Sequence, residues 1–158
     1  MNGLYDCNEF KDNCGFGLIA HVKGEASHRL VRTGIEALTR MTHRGGIAAD
    51  GRTGDGCGLL VQKPDGFLRR AALACGAGEL TPLYGIGSLM FGQDEERAAT
   101  ARRILEEELA DQGLRVAGWR QVPTNPACLG PIALASLPQF FQVFVNSDNQ
   151  RREQLTAG

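Results

Sequence analysis

The chain has 158 residues, 42% of them hydrophobic, and 17 Lys plus Arg against 18 Asp plus Glu leave a formal net charge of -1. That suits one ordinary globular domain with a buriable core and excludes a long repeat array. The balanced charge gives no footprint for nucleic acid or an anionic membrane surface, and no apolar run reaches the roughly 18 to 20 residues that span a bilayer.

Residues 1–13 are polar and unpatterned, and MNGLYDCNEFKDN lacks the basic and apolar regions of a signal peptide, so the chain is expected in the cytoplasm. Cys14–Val22 (CGFGLIAHV) has the apolar content of a strand, closed by the turn Lys23-Gly24-Glu25. Ser27 stands at an N-cap position, and Leu30, Val31, Ile35, Leu38 and Met41 follow at helical spacing. This predicts an amphipathic helix from His28 to Thr42, ended by Arg44-Gly45-Gly46. Gly54–Gly58 leads into a short apolar strand, Leu59–Gln62, punctuated by Lys63-Pro64-Asp65-Gly66, and a helical patch is expected over Phe67–Leu73.

Tyr84–Phe91 reads as a strand and Asp94–Gln112 as the longest helix, with acidic residues early and Ile104, Leu105 and Leu109 on one face. Leu114–Val122 alternates back to strand, and Pro123-Thr124-Asn125-Pro126 breaks it. A short strand over Ile132–Leu137 and a last one over Gln142–Asn146 follow. The pattern is one of mixed strands and helices without internal repeats.

Glycine is the compositional outlier: 21 of 158 residues, nearly twice the usual roughly 7%. Many fall between Cys14 and Gly58, which concentrates tight turns there and marks that stretch as the place for a site. Gly15-Phe-Gly17-Leu-Ile-Ala20 matches the spacing of a dinucleotide fingerprint, but polar residues precede it and strand-like sequence follows, the reverse of what that motif needs. Cys7, Cys14, His21, His28 and His43 have no zinc-ligand spacing, so no metal site is expected. The five cysteines include no CxxC, which leaves reduced thiols as the default. Cys57 lacks the flanking glycines of a nucleophile elbow and, like Cys75 and Cys128, is expected as a small buried hydrophobe.

Cys14 differs through its context. A polar leader ends at Asn13 and Cys-Gly-Phe-Gly opens an apolar segment, as expected if cleavage exposes Cys14 as a new N-terminus. An α-amine with a pKa of about 7.7 to 8.0 can then serve as general base for the thiol of its own residue.

Asn13–Ala20 (NCGFGLIA), Ser27-His28, His43-Arg44-Gly45-Gly46 and Ala49–Gly58 (ADGRTGDGCG) together resemble the start of the large subunit of bacterial glutamate synthases, which are class II glutamine amidotransferases. The resemblance continues through Gln62-Lys63-Pro64, Gly118–Asn125 (GWRQVPTN) and Gln142–Asn146 (QVFVN), almost the whole chain. It implies an α+β fold of the N-terminal-nucleophile hydrolase type, a four-layer αββα sandwich that is incomplete here. Residues 1–13 would be the leader, and residues 14–158 the N-terminal portion of the glutaminase domain.

The implied chemistry is hydrolysis of L-glutamine to glutamate and ammonia through a Cys14 thioester. In the full enzyme the ammonia aminates 2-oxoglutarate. The resemblance places Arg44 and Gly45 at substrate binding or positioning of the N-terminal residue, with Gly15 and Asp55 supporting. It implies no cofactor in this segment, FMN and an iron-sulfur cluster in the rest of the large subunit, and FAD and NADPH in a small partner subunit. The family's HNGE-like oxyanion segment and its Arg-Phe-Ser-Thr substrate stretch are absent, so the chain is expected to be the first part of such a domain. An alternative is an inactive fragment or interaction module. A stand-alone amidohydrolase would have to use Asn125 or Asn146, neither followed by glycine.

Overall fold

The computed structural model describes residues 15–42 and 45–147. These gather into two compact units, one running to Gln62 and including Leu129–Ala133, the other taking Lys63–Cys128 and the described residues from Leu134 on.

In the second unit, α2 (Asp65–Ala74) precedes a three-stranded sheet built from β1 (Tyr84–Phe91), β2 (Leu114–Gln121) and β3 (Gln139–Ser147), with α3 (Glu95–Asp111) between β1 and β2. The strand order is β1-β3-β2 and β3 is antiparallel to both neighbours, so β1 and β2 are parallel to each other. Two parallel strands cannot be joined by a tight turn, and α3 makes the required crossover, giving a split β-α-β unit with the last strand in its gap. α3 starts where the sequence places it: Asp94 Oδ1 accepts from Arg97 N at 3.1 Å, and Glu95 and Glu96 lie at the positive end of the helix.

Four consecutive residues of β3, Val143–Asn146, are buried, because both faces of this central strand are covered. On one face Phe144, with 0% exposure, and Tyr84 pack with Leu68 and Ala72 of α2 and with Ala77 and Leu80. Gly118 follows an irregularity in the β2 register, and a Cβ there would lie 2.5 Å from Ala77 Cβ, so only glycine lets the chain pass. Asn146 is buried yet satisfied: its Oδ1 accepts from Thr81 N at 3.0 Å and its Nδ2 donates to Glu79 O at 3.3 Å.

In the first unit, α1 (His28–Arg40) has its expected N-cap, Ser27 Oγ accepting from Leu30 N at 3.4 Å. Among the described residues the two expected strands of this unit do not form. Residues 15–21 and 56–62 pair with no other segment, and Phe16 and Leu60 stand 93% and 100% exposed. Strand-like composition alone does not make a strand; a ladder needs a second chain segment to satisfy its N–H and C=O groups, and the described residues supply none here.

The expected strand at Ile132–Leu137 is instead helical, α4 (Pro131–Ala135). Proline at the first helical position loses no intrahelical bond and presets φ, a start signal that outweighs the β-branched Ile132. The α+β class stands, with one small sheet. Among the described residues no helix is long and apolar enough to cross a membrane.

Candidate active site

The glycine-rich stretch folds into an irregular hairpin. Ala48 N donates to Thr53 O at 2.7 Å, Ile47 bridges Gly54, and Asp55 N donates to Gly46 O at 3.2 Å. The turn closes through Gly51, whose φ of +69° is a conformation that favours glycine, with its N–H donating to Ala48 O at 2.9 Å. Asp55 then reaches back across the hairpin: its Oδ2 accepts from Gly46 N at 2.7 Å. A Cβ on Gly46 would lie 3.3 Å from that oxygen, and one on Gly45 would lie 3.8 Å from Asp55 Cβ. The carboxylate therefore sits against the Gly45-Gly46 backbone; the approach is tight at Gly46, whereas a Cβ on Gly45 would make an ordinary contact.

Of the residues singled out from sequence, Gly45 and Asp55 are brought together by this hairpin. Gly15 is exposed and joins no hydrogen bond with it among the described residues. Cys14 and Arg44 lie outside the described residues.

A second carboxylate, which the sequence reading passed over, organises the tip. Asp50 Oδ1 accepts from Thr53 N at 2.7 Å and Arg52 N at 3.0 Å. Its Oδ2 accepts from Thr53 Oγ1 at 2.6 Å and from Ile132 N at 3.1 Å, at the start of α4. Thr53 Oγ1 in turn accepts from Ala133 N at 3.2 Å. The Thr53 hydroxyl and backbone bonds, aided by those from Arg52 and Ile132, hold the Asp50 carboxyl well below the usual carboxylate range. Gly130 completes the fit, since a Cβ there would lie 2.5 Å from Asp50 Oδ2 and 2.6 Å from Thr53 N. The Asp50-Gly-Arg-Thr53 spacing is a turn signal that could have found the first half of this network. No local signal could have found Ile132 and Ala133.

Other expectations fare differently. Cys57 and Cys128 are exposed, and Cys75 is half-buried with its thiol donating to Ala72 O at 3.2 Å. Cys57 lies in the segment that forms no ladder and is exposed among the described residues, so the expected burial fails with the expected strand. His21 Nδ1 accepts from Glu25 N at 3.1 Å and serves a local turn. Among the described residues no three His, Cys, Asp or Glu side chains gather as metal ligands would. Asn146 is committed to the sheet unit, and Asn125 Oδ1 accepts from Ala127 N at 3.2 Å at the 3-10 turn Pro126–Cys128, so both late asparagines have structural work.

Comparison with known proteins places this geometry in context. A family model described as glutamine amidotransferases class-II matches residues 14–157. The chain is 37% identical over 154 residues to the glutamate synthase [NADPH] large chain of Bacillus subtilis (strain 168), covering 98% of this chain and 10% of that protein. It is 36% identical to the chloroplastic ferredoxin-dependent glutamate synthase of Oryza sativa subsp. japonica, over 94% of this chain and 10% of the relative. It is 35% identical to the glutamate synthase [NADH] of Saccharomyces cerevisiae, over 89% and 7%. The chain thus spans about a tenth or less of the length of these relatives.

Proposed function

Because the chain belongs to the class II glutamine amidotransferases, we propose that it carries the nucleophile of a glutaminase site, and that the nucleophile is Cys14. The observation that carries this reading is that the family match begins at residue 14, the residue that can supply both thiol and base once residues 1–13 are removed. The α-amine takes the thiol proton, and the thiolate adds to the side-chain carbonyl of L-glutamine. The proton passes to the departing nitrogen as the C–N bond breaks and ammonia leaves. Water then hydrolyses the glutamyl thioester to glutamate and restores the thiol.

In this reading Arg44 and Gly45 position the N-terminal residue. Asp55 supports them by fixing Gly46 N through its carboxylate, and Gly15 keeps the backbone beside the nucleophile unhindered. A tetrahedral intermediate also needs oxyanion donors, whose loss typically slows acyl transfer roughly 100- to 1,000-fold. With Asn146 Nδ2 donating to Glu79 O and neither late asparagine followed by glycine, those donors are assigned to further chain of the kind the longer relatives possess. So are the synthase reaction, in which ammonia aminates 2-oxoglutarate, the FMN and iron-sulfur groups that serve it, and a small partner subunit holding FAD and NADPH. The complete domain would add a second sheet to form the αββα sandwich, in a cytoplasmic enzyme.

A second reading has its own support. The exposure of Phe16, Leu18 and Leu60 favours an interaction module that keeps part of the fold without turnover. Intact mass after exposure to an electrophilic glutamine analogue, with tandem spectra to place the adduct, separates the two. A chain beginning at Cys14 and labelled there is the expected result. A chain that retains Met1–Asn13 and takes no label would overturn the nucleophile assignment in favour of the second reading.

A further inference from the structure

α3 carries three arginines, and two of them have acidic partners: Arg97 Nε lies 3.3 Å from Asp94 Oδ2, and Arg103 Nη1 lies 2.6 Å from Glu107 Oε1. Arg102 has none. Its guanidinium carbon lies 3.9 Å from the ring centre of Phe141, 5.2 Å from Phe91 and 5.5 Å from Trp119. Those rings form one wall, with Phe91 5.7 Å from Phe141 and 6.2 Å from Trp119 between centres. The aromatic faces engage the flat face of the cation and leave its edge, where the N–H donors point, without an acceptor among the described residues.

Arg102 Nε is both buried and unpaired. The obvious partner, Glu106 one turn along, is taken instead by Trp119, whose Nε1 donates to Glu106 Oε1 at 2.6 Å. Nε itself is closed to solvent, so an external acid would meet this half-buried arginine at its Nη groups, the neighbouring carboxylate being diverted.

The same helix face continues into open space. Leu105 and Leu109 follow Arg102 at helical spacing, and with Gly85, Gly87, Leu89 and Val143 they line an apolar cavity of about 310 Å³. Leu89 is directly opposite Phe141 in the sheet register, so the cavity begins where the aromatic wall ends. Gly85 on β1 opens the room, since a Cβ there would meet nothing within 4 Å, and Gly87 lets Val143 approach, a Cβ there lying 3.0 Å from Val143 Cγ1. The volume is at the lower end of the range of small-ligand pockets.

We propose that this face of the sheet binds a monocarboxylate with an apolar body, its carboxylate on the outer edge of Arg102 and its hydrocarbon in the cavity beneath Leu105 and Leu109. The planar fork of the guanidinium fits two carboxylate oxygens, and charge complementarity sets the ligand's direction. The site lies outside the hairpin of the first unit and requires no turnover there.

Trp119 is the only tryptophan in the chain and stands in the wall, so its fluorescence reports occupancy. The full chain would be titrated with octanoate, acetate and 1-octanol at constant ionic strength. Octanoate should give a saturable change at a concentration at least tenfold below that needed for either acetate or 1-octanol, since each lacks one half of the ligand. Arg102→Met keeps an apolar stem against Phe141 and should weaken octanoate at least tenfold while leaving 1-octanol unchanged. Gly85→Val should fill the cavity and weaken octanoate similarly, with an unchanged far-ultraviolet circular dichroism spectrum showing that the sheet persists. Absence of a saturable octanoate response in the unaltered chain would overturn the proposal, as would equal responses to octanoate and 1-octanol. An octanoate response that survives both substitutions in folded protein would also overturn it.

Discussion

Tyr84–Phe91 and Leu59–Gln62 are both short apolar segments bounded by turn residues, yet their fates diverge. The first pairs along its whole length, from Tyr84 opposite Asn146 to Phe91 opposite Gln139, and its ends are buried. The second forms no ladder with any described residue, and Leu60 is fully exposed while Leu59 and Val61 are about half so. Local composition is similar; what differs is the presence of another segment to complete the ladder and of a helix to cover the face. Apolar sequence is therefore a demand for a partner, and within the described residues only the sheet unit meets it.

The largest expected effect tests that contrast directly. Phe144→Ala, at a fully buried position, should destabilise the sheet unit by about 3 to 5 kcal/mol through lost burial and the cavity left behind. Leu60→Ala should stay within about 0.5 kcal/mol, because the side chain it removes already faces solvent. Urea unfolding followed by Trp119 fluorescence and circular dichroism measures both. Similar costs at the two sites would mean that Leu60 is covered in solution and that the comparison fails.

Glycines sharpen the same comparison at smaller scale. Gly118→Ala forces a methyl group to within 2.5 Å of Ala77 Cβ and 2.6 Å of its Cα. Since backbone must yield, a loss of about 1 to 3 kcal/mol is expected in the same urea experiment. Gly34→Ala meets only the tip of Leu59, Cδ1 at 2.9 Å, the far end of a side chain that can change rotamer. The helix preference of alanine over glycine, about 1 kcal/mol, should then leave α1 unchanged or more stable.

These contrasts also explain what could be read in advance. α1, α3, β1 and β2 were legible because each carries its own periodicity and boundary signals, such as Ser27 before α1 and Asp94 before α3. The last strand was found three residues short at its start, since Pro138 hid the beginning of β3. The turn at Gly45-Gly46 is signalled by its glycines, and the supporting role of Asp55 by the family resemblance. The contact of Asp50 with Ile132 was not, because its geometry depends on how a distant segment returns. The two missing strands failed for the converse reason: their local signal is intact, but a strand is a relation between segments. Cys14 and Arg44, on which the chemical reading rests, lie outside the described residues; the context of the first is legible in the sequence, whereas the role of the second comes from resemblance.

Tyr84 provides a test by pH. Its hydroxyl donates to Asp65 Oδ1 at 2.6 Å, while Arg69 Nε donates to Asp65 Oδ2 at 3.0 Å. Burial, followed by the bond to Asp65 and that residue's charge, pushes the phenol up to about 12, whereas the bond from Tyr84, then Arg69, holds the carboxyl below its ordinary value of 3.8. A raised phenol pKa stabilises the fold fully below about pH 10, and that contribution is lost as pH rises towards 12. A lowered carboxyl pKa contributes above its ordinary value and is lost as pH falls through the depressed one. Tyr84→Phe should therefore cost about 1 kcal/mol at neutral pH and flatten the alkaline limb of the stability profile, leaving Leu60→Ala unaffected over the same range. An unchanged alkaline limb would remove the phenol from this account.

The smallest effect probes a long-range tie within the hairpin unit. Asp50→Asn can keep the carbonyl acceptor facing Arg52 N and Thr53 N, but the amide nitrogen that replaces Oδ2 cannot accept from Ile132 N or from Thr53 Oγ1. Hydrogen exchange at Ile132 should then accelerate on the order of threefold to tenfold, with less change at Arg52 and Thr53 and none at Phe144. The carboxyl's depressed pKa fixes the sign of the acid response: in the unsubstituted chain the Ile132 protection contributed by Asp50 persists as pH falls through the ordinary carboxylate range, and it is lost only at more acid pH. If Ile132 exchanges alike in both chains, the carboxylate does not hold α4 to the hairpin. A rise at all three amides would instead make Asp50 the organiser of the whole tip, and the first unit would then depend on one polar network where the second depends on a core.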